Sequence, residues 1–422
     1  MCTLLACASI NHPIKDSNMN ETTSSFGGGK YLLAGGVAIF AIGQSLLFII
    51  VAPMARSVGL TELQFGATFG LANLALIFAS PFWGKKSDSI GRKPVFIIGL
   101  FGSAFGTLLM AITLRMGLAQ SLSVSGMIAM LFMSRAIYGA TASSIYPSAS
   151  AYIADVTSWK DRGKGMALIG GANSFGSILG PALGGGLAFL GVLFPMYIAI
   201  VLSLVAAFAA IAWLKEPTRH ASQKKAKKTS TLKFTDKRLR PYLIMWASFF
   251  IIFISMNFVT SFFIQDKLGI TEMAGIMRTA SLALASMALV ITLVQGVLFQ
   301  IIHVPPRLLL RLCAPVYAMG LFTVAVATSV MTLLIGFAVL GIAFSFATPG
   351  INACASQSVK SHEQGAAAGY LAAANTSGAI LGPIFGTGIY KIAPTAPMIV
   401  GGIAMLLLGA FALMIPPPQQ QD

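Results

Sequence analysis

Twelve membrane-spanning α-helices, arranged as two pseudo-symmetric six-helix bundles, make up the all-α membrane architecture that this chain predicts. Composition comes first: 56% of the 422 residues are hydrophobic and 9% are charged, with a mean hydropathy of +0.82. A soluble domain carries about a quarter charged residues. Length comes second, because roughly 20 apolar residues per crossing leave room for about a dozen crossings and no separate soluble domain. The third observation is a repeat. Gly139–Ala188 aligns without gaps on Gly341–Tyr390, matching Pro147 to Pro349, Gly163 to Gly365, Asn173 to Asn375 and Gly180-Pro181 to Gly382-Pro383. Gly59-Leu60-Thr61-Glu62 is echoed by Gly269-Ile270-Thr271-Glu272. Repeats of this parallel kind place a substrate path between the halves.

The helices follow from apolar runs bounded by Gly, Pro and charge. Helix 1 (31–53) lies between Lys30 and Arg56, and helix 2 (64–83) between Glu62 and Gly84-Lys85-Lys86. Helix 3 (94–114) runs from Pro94 to Arg115, helix 4 (124–148) ends near Pro147, and helix 5 (164–188) runs from Lys164 into Gly184-Gly185-Gly186. Helix 6 (191–214) stops at Lys215; helix 7 (241–264) sits between Arg240 and Asp266. Helix 8 (274–299) follows Glu272, helix 9 (308–329) follows Arg307, and helix 10 (331–352) follows Ser329. Helix 11 (366–390) ends at Lys391, and helix 12 (394–416) begins and ends on proline. Each satisfies its own backbone hydrogen bonds, as the bilayer interior requires.

The chain therefore divides into an N-terminal tail (1–30), a first bundle (31–214), a basic linker (215–240), a second bundle (241–416) and a C-terminal tail (417–422). The net charge of +16 would suggest nucleic acid in a soluble chain; here it reports orientation. Placing the linker and the N-terminus in the cytoplasm puts 22 of the 28 Lys and Arg residues there. Only Arg56, Arg115, Lys267, Arg278 and Lys391 fall outside, and Arg135 lies within the membrane. That bias predicts two cytoplasmic termini in a plasma (bacterial inner) membrane protein. The linker also suits contact with anionic lipid, though setting the topology is its simpler role.

Soluble-enzyme, nucleic-acid-binding and disordered-scaffold readings are excluded by composition. Cys2, Cys7, Cys313 and Cys354 form no C-x-x-C pair, and His12, His220, His303 and His362 are scattered through tail and connecting segments. No metal site, nucleophilic pair or cofactor is expected, and the chain is not expected to be an enzyme. Gly27-Gly28-Gly29-Lys30 fails as a phosphate loop because Tyr31 replaces the needed Ser/Thr and no strand precedes it. Any pumping must then draw on an ion gradient or a partner. Leu4-Leu5-Ala6-Cys7 resembles a lipoprotein cleavage box but is not expected to act as one, since nothing basic precedes its short apolar run. The tail is expected to stay unprocessed, and Met19 is an alternative start.

Three motifs carry a family resemblance. The segment between helices 2 and 3, Gly84-Lys-Lys-Ser-Asp88-Ser-Ile-Gly91-Arg92-Lys93, resembles the G-x-x-x-D-x-x-G-R-K/R loop of the major facilitator superfamily. Arg135-Ala-Ile-Tyr-Gly139 is similar to the R-x-x-x-G motif of its drug/proton antiporters. Gly176-Ser-Ile-Leu-Gly180-Pro181-Ala-Leu-Gly184-Gly185 looks like their helix 5 antiporter motif. The resemblance implies the twelve-helix family fold, alternating access and export. It also implies that Asp88 faces the amino end of helix 11, where the helix dipole favours an anion and Ser361-His-Glu-Gln364 offers a capping box. Arg92 is expected to pair with Asp155, and Gly84, Gly91, Lys93 and Arg162 complete a cytoplasmic gate that latches the outward-open state. Gly91 permits the tight turn.

Gly176, Gly180 and Gly184 share a helix face that Gly378, Gly382 and Gly386 copy in helix 11, and small residues at this spacing allow close packing. Pro181 and Pro383 remove a backbone donor and allow a bend. Arg135, a permanent charge inside helix 4, is functional by default; the resemblance implies a part in proton coupling, and the alternative is a hydrogen-bonded strut. Gln44, Asn73, Tyr138, Tyr146 and Asn257 are candidates to line the same path, with Arg278 as a second cavity charge. No Asp or Glu falls in a helix interior, unlike many exporters of cationic drugs. The expected function is secondary active export of a small organic molecule by proton antiport. The missing carboxylate favours a neutral or anionic cargo, such as a carboxylate-rich metabolite or siderophore. The alternatives are a multidrug pump for lipophilic compounds, an importer of the same fold, or a membrane sensor without transport. The expected partners are cargo, protons and the bilayer, without nucleic acid and without a required oligomer.

Overall fold

A computed structural model describes residues 19–157, 162–217, 232–302, 304–360 and 363–416, with side chains described from Gly28 onward, Arg162 and Gly163 apart. The leading 18 residues, the centre of the basic linker, His303, Ser361 with its capping box, and the last six residues lie outside the described residues. The helices are α1 (Met19–Ser57), α2 (Glu62–Ile90), α3 (Arg92–Leu118), α4 (Val124–Val156), α5 (Arg162–Gly186) and α6 (Phe194–Trp213) in the first half. The second half holds α7 (Arg240–Leu268), α8 (Met273–Ile301), α9 (Pro306–Ala325), α10 (Val330–Gln357), α11 (Gln364–Tyr390) and α12 (Ala396–Met414).

Among the described residues, eleven helices are long and apolar enough to cross a membrane. The remaining one, α11, has 27 residues but is built largely of Gly, Ala, Ser and Thr. Its small side chains suit close packing rather than lipid contact, and it lies against α7 and α2. Several ends differ from the expected ones. The first helix starts at Met19, inside the segment assigned to the tail, because the polar turn before Gly27 continues the helix. α2 runs to Ile90, so the 84–93 motif is mostly helix and not a loop; Gly91 alone, at φ +113°, turns the chain into α3. Helix starts follow local chemistry: Thr61 and Gln64 form a capping box for α2, and Ser329 and Thr332 one for α10.

Two helices are broken. α4 breaks at Ser143-Ser144, four residues before Pro147, whose ring clashes with the carbonyl four positions back. α2 breaks at Asn73, three residues after Gly70. α8 carries a π-helical stretch at Val294–Leu298.

The halves repeat each other in packing. α1 lies on α5 as α7 lies on α11, α3 on α4 as α9 on α10, and α3 on α6 as α9 on α12. Across the boundary, α5 meets α8 and α2 meets α11. The contacts between halves are uneven along the helices. One buried cluster runs through the second half into Leu46–Leu60, Phe65 and Phe69 of the first. A separate cluster, including Leu33, Phe96, Tyr152 and Leu214, is confined to the end of the first half that carries Lys85, Lys86 and Arg92. That end is called the basic side below, and the opposite end the far side. Gly170, Gly171, Gly365 and Gly369, on the basic halves of α5 and α11, have open space where a Cβ would stand. A Cβ on Gly66 would strike the Pro383 carbonyl at 2.6 Å and the Thr387 side chain. The halves are thus joined on the far side and part toward the basic side.

Candidate functional site

Arg135 stands where the parting ends. It lies in the middle of α4 and is only 6% exposed. Its guanidinium lies 5.0 Å from the centre of the Phe69 ring and 4.9 Å from that of Tyr138, so two aromatic faces stabilise the charge. Nη2 donates to Asn73 Oδ1 at 3.3 Å. Asn73 Nδ2 in turn donates to the Ala379 carbonyl of α11 at 2.8 Å. The break in α2 therefore presents an amide that ties Arg135 in one half to a backbone oxygen in the other. Arg135 Nε and the Tyr138 hydroxyl are buried without a described hydrogen-bond partner. An unpaired buried donor costs free energy, so these two are available for a ligand or water.

Beside Arg135 lies a space of about 10 Å³ lined by Gln44, Leu47, Phe48, Phe65, Phe69 and Phe258. That holds about one water. Phe258 makes ring contacts with Phe48, Phe65 and Phe69 at 5.4–5.8 Å across the two halves, forming an aromatic plug on the far side of Arg135. Toward the basic side, a groove of about 420 Å³ between α1 and α5 is lined by Gly35, Ala38, Gly171 and Phe175. Of the residues expected on the path, Gln44, Asn73, Tyr138 and Arg135 come together. Asn257 sits next to Phe258, but its amide donates to the Phe253 carbonyl at 2.7 Å in its own helix. Tyr146 is 42% exposed and lies three turns from Arg135, beyond the α4 break, outside this group. Arg278 is not a second charge in this space: it is exposed at the far-side junction of α5 and α8, because only one turn and a half of α8 precedes it.

At the basic side, Arg92 bridges two helices. Nε donates to Asp155 Oδ2 at 2.9 Å at the end of α4, and Nη1 meets Asp88 at 2.7 Å and Ser87 Oγ at 2.7 Å at the end of α2. Asp88 does not face the amino end of α11. It pairs with Arg92 and is largely exposed, because the halves part on this side. Gly84 has open space around it. The α5 helix begins at Arg162, whose side chain lies outside the described residues. In the second half, Arg238 joins Asp236 at 3.0 Å and Glu363, at the start of α11, at 3.2 Å. Arg238 holds the Asp236 carboxyl below the usual carboxylate range by hydrogen bonding to it.

Glu216 is a member of this cluster that sequence reading passed over. Its two oxygens accept from the Arg92 and Lys93 amides at 2.6 and 2.9 Å, an anion on the positive end of α3. Glu216 also packs where a Cβ on Gly91 would stand, and Lys93 Nζ closes the corner on the Ile211 carbonyl at 2.8 Å. Glu216→Gln is expected to lower stability by about 0.5–2 kcal/mol, the usual cost of a lost cap. The readout is the thermal midpoint of the purified protein; no change would mean that water replaces the cap. Arg92→Ala, which frees α2 from α4, is expected to reduce transport several-fold with membrane insertion intact.

The glycine faces are packing surfaces. Cβ atoms on Gly176 and Gly180 would collide with Ala38, Ala41, Ile42 and Ser45 of α1, whereas Gly184 makes ordinary contacts. Gly378, Gly382 and Gly386 stand in the same way against Phe250, Ile254 and Ser255 of α7, at 2.7–2.9 Å. Gly185, next to the α5 glycine face, stands against the other half, at Ser281 and Met277 of α8. Ser45 Oγ donates to the Gly176 carbonyl at 3.3 Å and Ser255 Oγ to that of Gly382 at 2.7 Å. Pro181 and Pro383 lie inside α5 and α11 without interrupting either.

The far side is closed by charge. Arg56, at the end of α1, donates to both oxygens of Asp266 at 2.6 and 2.7 Å, to Glu62 at 2.7 Å and to Gln265 at 3.2 Å. The Tyr390 hydroxyl of α11 donates to Asp266 at 2.7 Å, and Arg56 lies 5.1 Å from the Phe262 ring centre. Four helices from both halves meet in this clasp.

The family model described as Major Facilitator Superfamily matches residues 33–370 and 302–422. Multidrug resistance protein 2 of Bacillus subtilis (strain 168) is 25% identical over 404 residues, 92% of this chain and 94% of that protein. Multidrug resistance protein 1 of the same organism is 26% identical over 364 residues, 83% of this chain and 87% of that protein. Among solved structures, a bacterial homolog of the human lysosomal transporter Spinster, inward-facing and occupied, superposes with a TM-score of 0.68 at 13% identity. It covers 91% of this chain and 95% of that one.

Proposed function

The chain belongs to the major facilitator superfamily, and from that premise we propose that it is a proton-driven exporter of lipophilic, drug-like molecules working by alternating access. As a member of that family it is an integral membrane transporter of small molecules. The observation that carries the cargo class is the near full-length similarity to two multidrug resistance proteins. The site is compatible with it: an aromatic-lined path with few polar groups suits varied apolar cargo, here Gln44, Asn73, Arg135 and Tyr138 among phenylalanines.

The carboxylate or siderophore cargo expected from the lack of intramembrane acid has no support among these relatives. The surroundings of Arg135 supply the physical reason. Its charge is met by two ring faces and an amide, so it does not require an anionic cargo. Taking the basic side as cytoplasmic, the arrangement described is open to the cytoplasm and closed by the Arg56 clasp and the Phe258 plug. Cargo entering from the cytoplasm or inner leaflet would reach Arg135 and Tyr138, whose unpaired donors are available to it. The test is uptake of a panel of lipophilic dyes and antibiotics into inside-out vesicles, with an imposed pH gradient and with the gradient collapsed. Gradient-dependent uptake of several panel members supports the proposal. Gradient-dependent uptake of carboxylates alone, or none of any compound, would overturn it.

A further inference from the structure

The largest cavity described lies outside the cargo path. About 610 Å³ opens at the far-side seam where the end of α5 meets the start of α8. Ala274, Gly275, Arg278, Ser281, Leu282 and Ala285 form one stripe of α8 facing Ala182, Gly185, Gly186 and Phe189. Phe189 is 76% exposed and Leu282 is 46% exposed. Arg278 stands five residues inside α8, about 8 Å from its end at ~1.5 Å per residue, and a long cationic side chain so near a helix end can reach the lipid headgroups. Among the described residues it makes no ion pair or hydrogen bond. Ser281 is only 5% exposed, and its hydroxyl has no described partner. Glu272, just before the helix, lines the mouth of the same cavity.

We propose that this seam binds the headgroup of a zwitterionic phospholipid bearing a primary ammonium. Arg278 takes the phosphate and Glu272 takes the ammonium. The acyl chains leave along Phe189 and Leu282 into the bilayer. The pairing of one cation and one anion at the two ends of one cavity selects this occupant. An acidic lipid would lack a partner for Glu272, and a purely apolar tail would leave Arg278 unpaired. The cavity holds a headgroup and glycerol but not whole chains, so the lipid remains part of the bilayer. It would wedge between α5 and α8, the seam that Gly185 closes against Ser281. It is thus placed to sense how far the two halves separate. The inference rests on this geometry and not on the identity of the cargo.

Native mass spectrometry of the full-length protein in detergent tests it, with phosphatidylethanolamine, phosphatidylcholine and phosphatidylglycerol of equal chain length. Inorganic phosphate and phosphorylethanolamine serve as soluble competitors. Wild type is expected to retain phosphatidylethanolamine at least tenfold better than phosphatidylcholine, whose quaternary ammonium cannot donate a hydrogen bond. Arg278→Ala should lose phosphatidylethanolamine at least tenfold, and Glu272→Gln should lose the preference over phosphatidylcholine while keeping phosphatidylglycerol. Equal retention of the three lipids by wild type would overturn the proposal even if a variant failed to insert. So would unchanged retention in both variants, or displacement by millimolar inorganic phosphate, which would mark a site for free anion.

Discussion

Arg135→Ala is expected to bring export to background while the protein still inserts and accumulates in the membrane. The guanidinium is buried between Phe69 and Tyr138 and bonded to Asn73, so alanine removes a charge, two ring contacts and one hydrogen bond together. Hydrogen bonds to charged groups contribute about 1.5–3 kcal/mol, roughly a 10- to 150-fold change in any equilibrium that depends on this one. Lysine keeps the charge but loses the planar fork that stacks on two rings and reaches Asn73, so Arg135→Lys should transport poorly as well. Asn73→Ala separates the effects. It leaves Arg135 in place but cuts the link to the Ala379 carbonyl, and should slow export less than Arg135→Ala does. The measurement is initial efflux rate normalised to membrane protein level. Export undiminished in Arg135→Ala would reduce the residue to a dispensable strut.

The helices and the two halves were legible because membrane helices declare themselves by length and apolarity, and because repeats leave matched glycines and prolines. The pairing of Arg92 with Asp155 was legible because both charges stand at helix ends on the same side of the first half. The break at Asn73 was not, since no proline stands near enough to mark it, and the Asn73 amide it presents is shared between Arg135 and α11. Pro147 does mark the break in α4, four residues upstream. Glu216 was hidden by its setting: it lies in a linker dominated by positive charge, and its partners are backbone amides 123 and 124 residues away. The position of Asp88 depends on a state and not only on a sequence. With the halves parted on the basic side, it turns to Arg92. Arg56 and Asp266 read only as charges on the outer side, because no local pattern shows that they meet.

Asp266→Asn is expected to shift the protein toward a far-side-open arrangement and to slow export by impeding return to the form described above. Arg56 and Asp266 are separated by 210 residues, the offset at which Gly59–Glu62 repeats as Gly269–Glu272. They occupy equivalent places in the two halves, and opposite charges let these places join across the pseudo-two-fold axis. Both side chains are about a third exposed, at 32% and 30%, so solvent weakens the pair toward the ~0.2–1 kcal/mol of surface bridges. The bidentate geometry and the added bonds from Glu62 and Tyr390 work the other way. A net effect of about 1–2 kcal/mol is reasonable, roughly a 5- to 30-fold change in the ratio of closed to open forms. A cysteine at Thr387, buried against Gly66 on the far side, reports that ratio by its labelling rate with an impermeant maleimide. The rate should rise in Asp266→Asn and in Arg56→Ala, and fall back when Arg56→Asp is combined with Asp266→Arg. The exchanged pair must also satisfy Glu62, which then faces an aspartate at position 56, so recovery should be partial and should improve with Glu62→Gln. Labelling at the unmodified rate in both single variants would mean that the Phe258 plug and the α2–α11 contact hold the far side shut without the clasp.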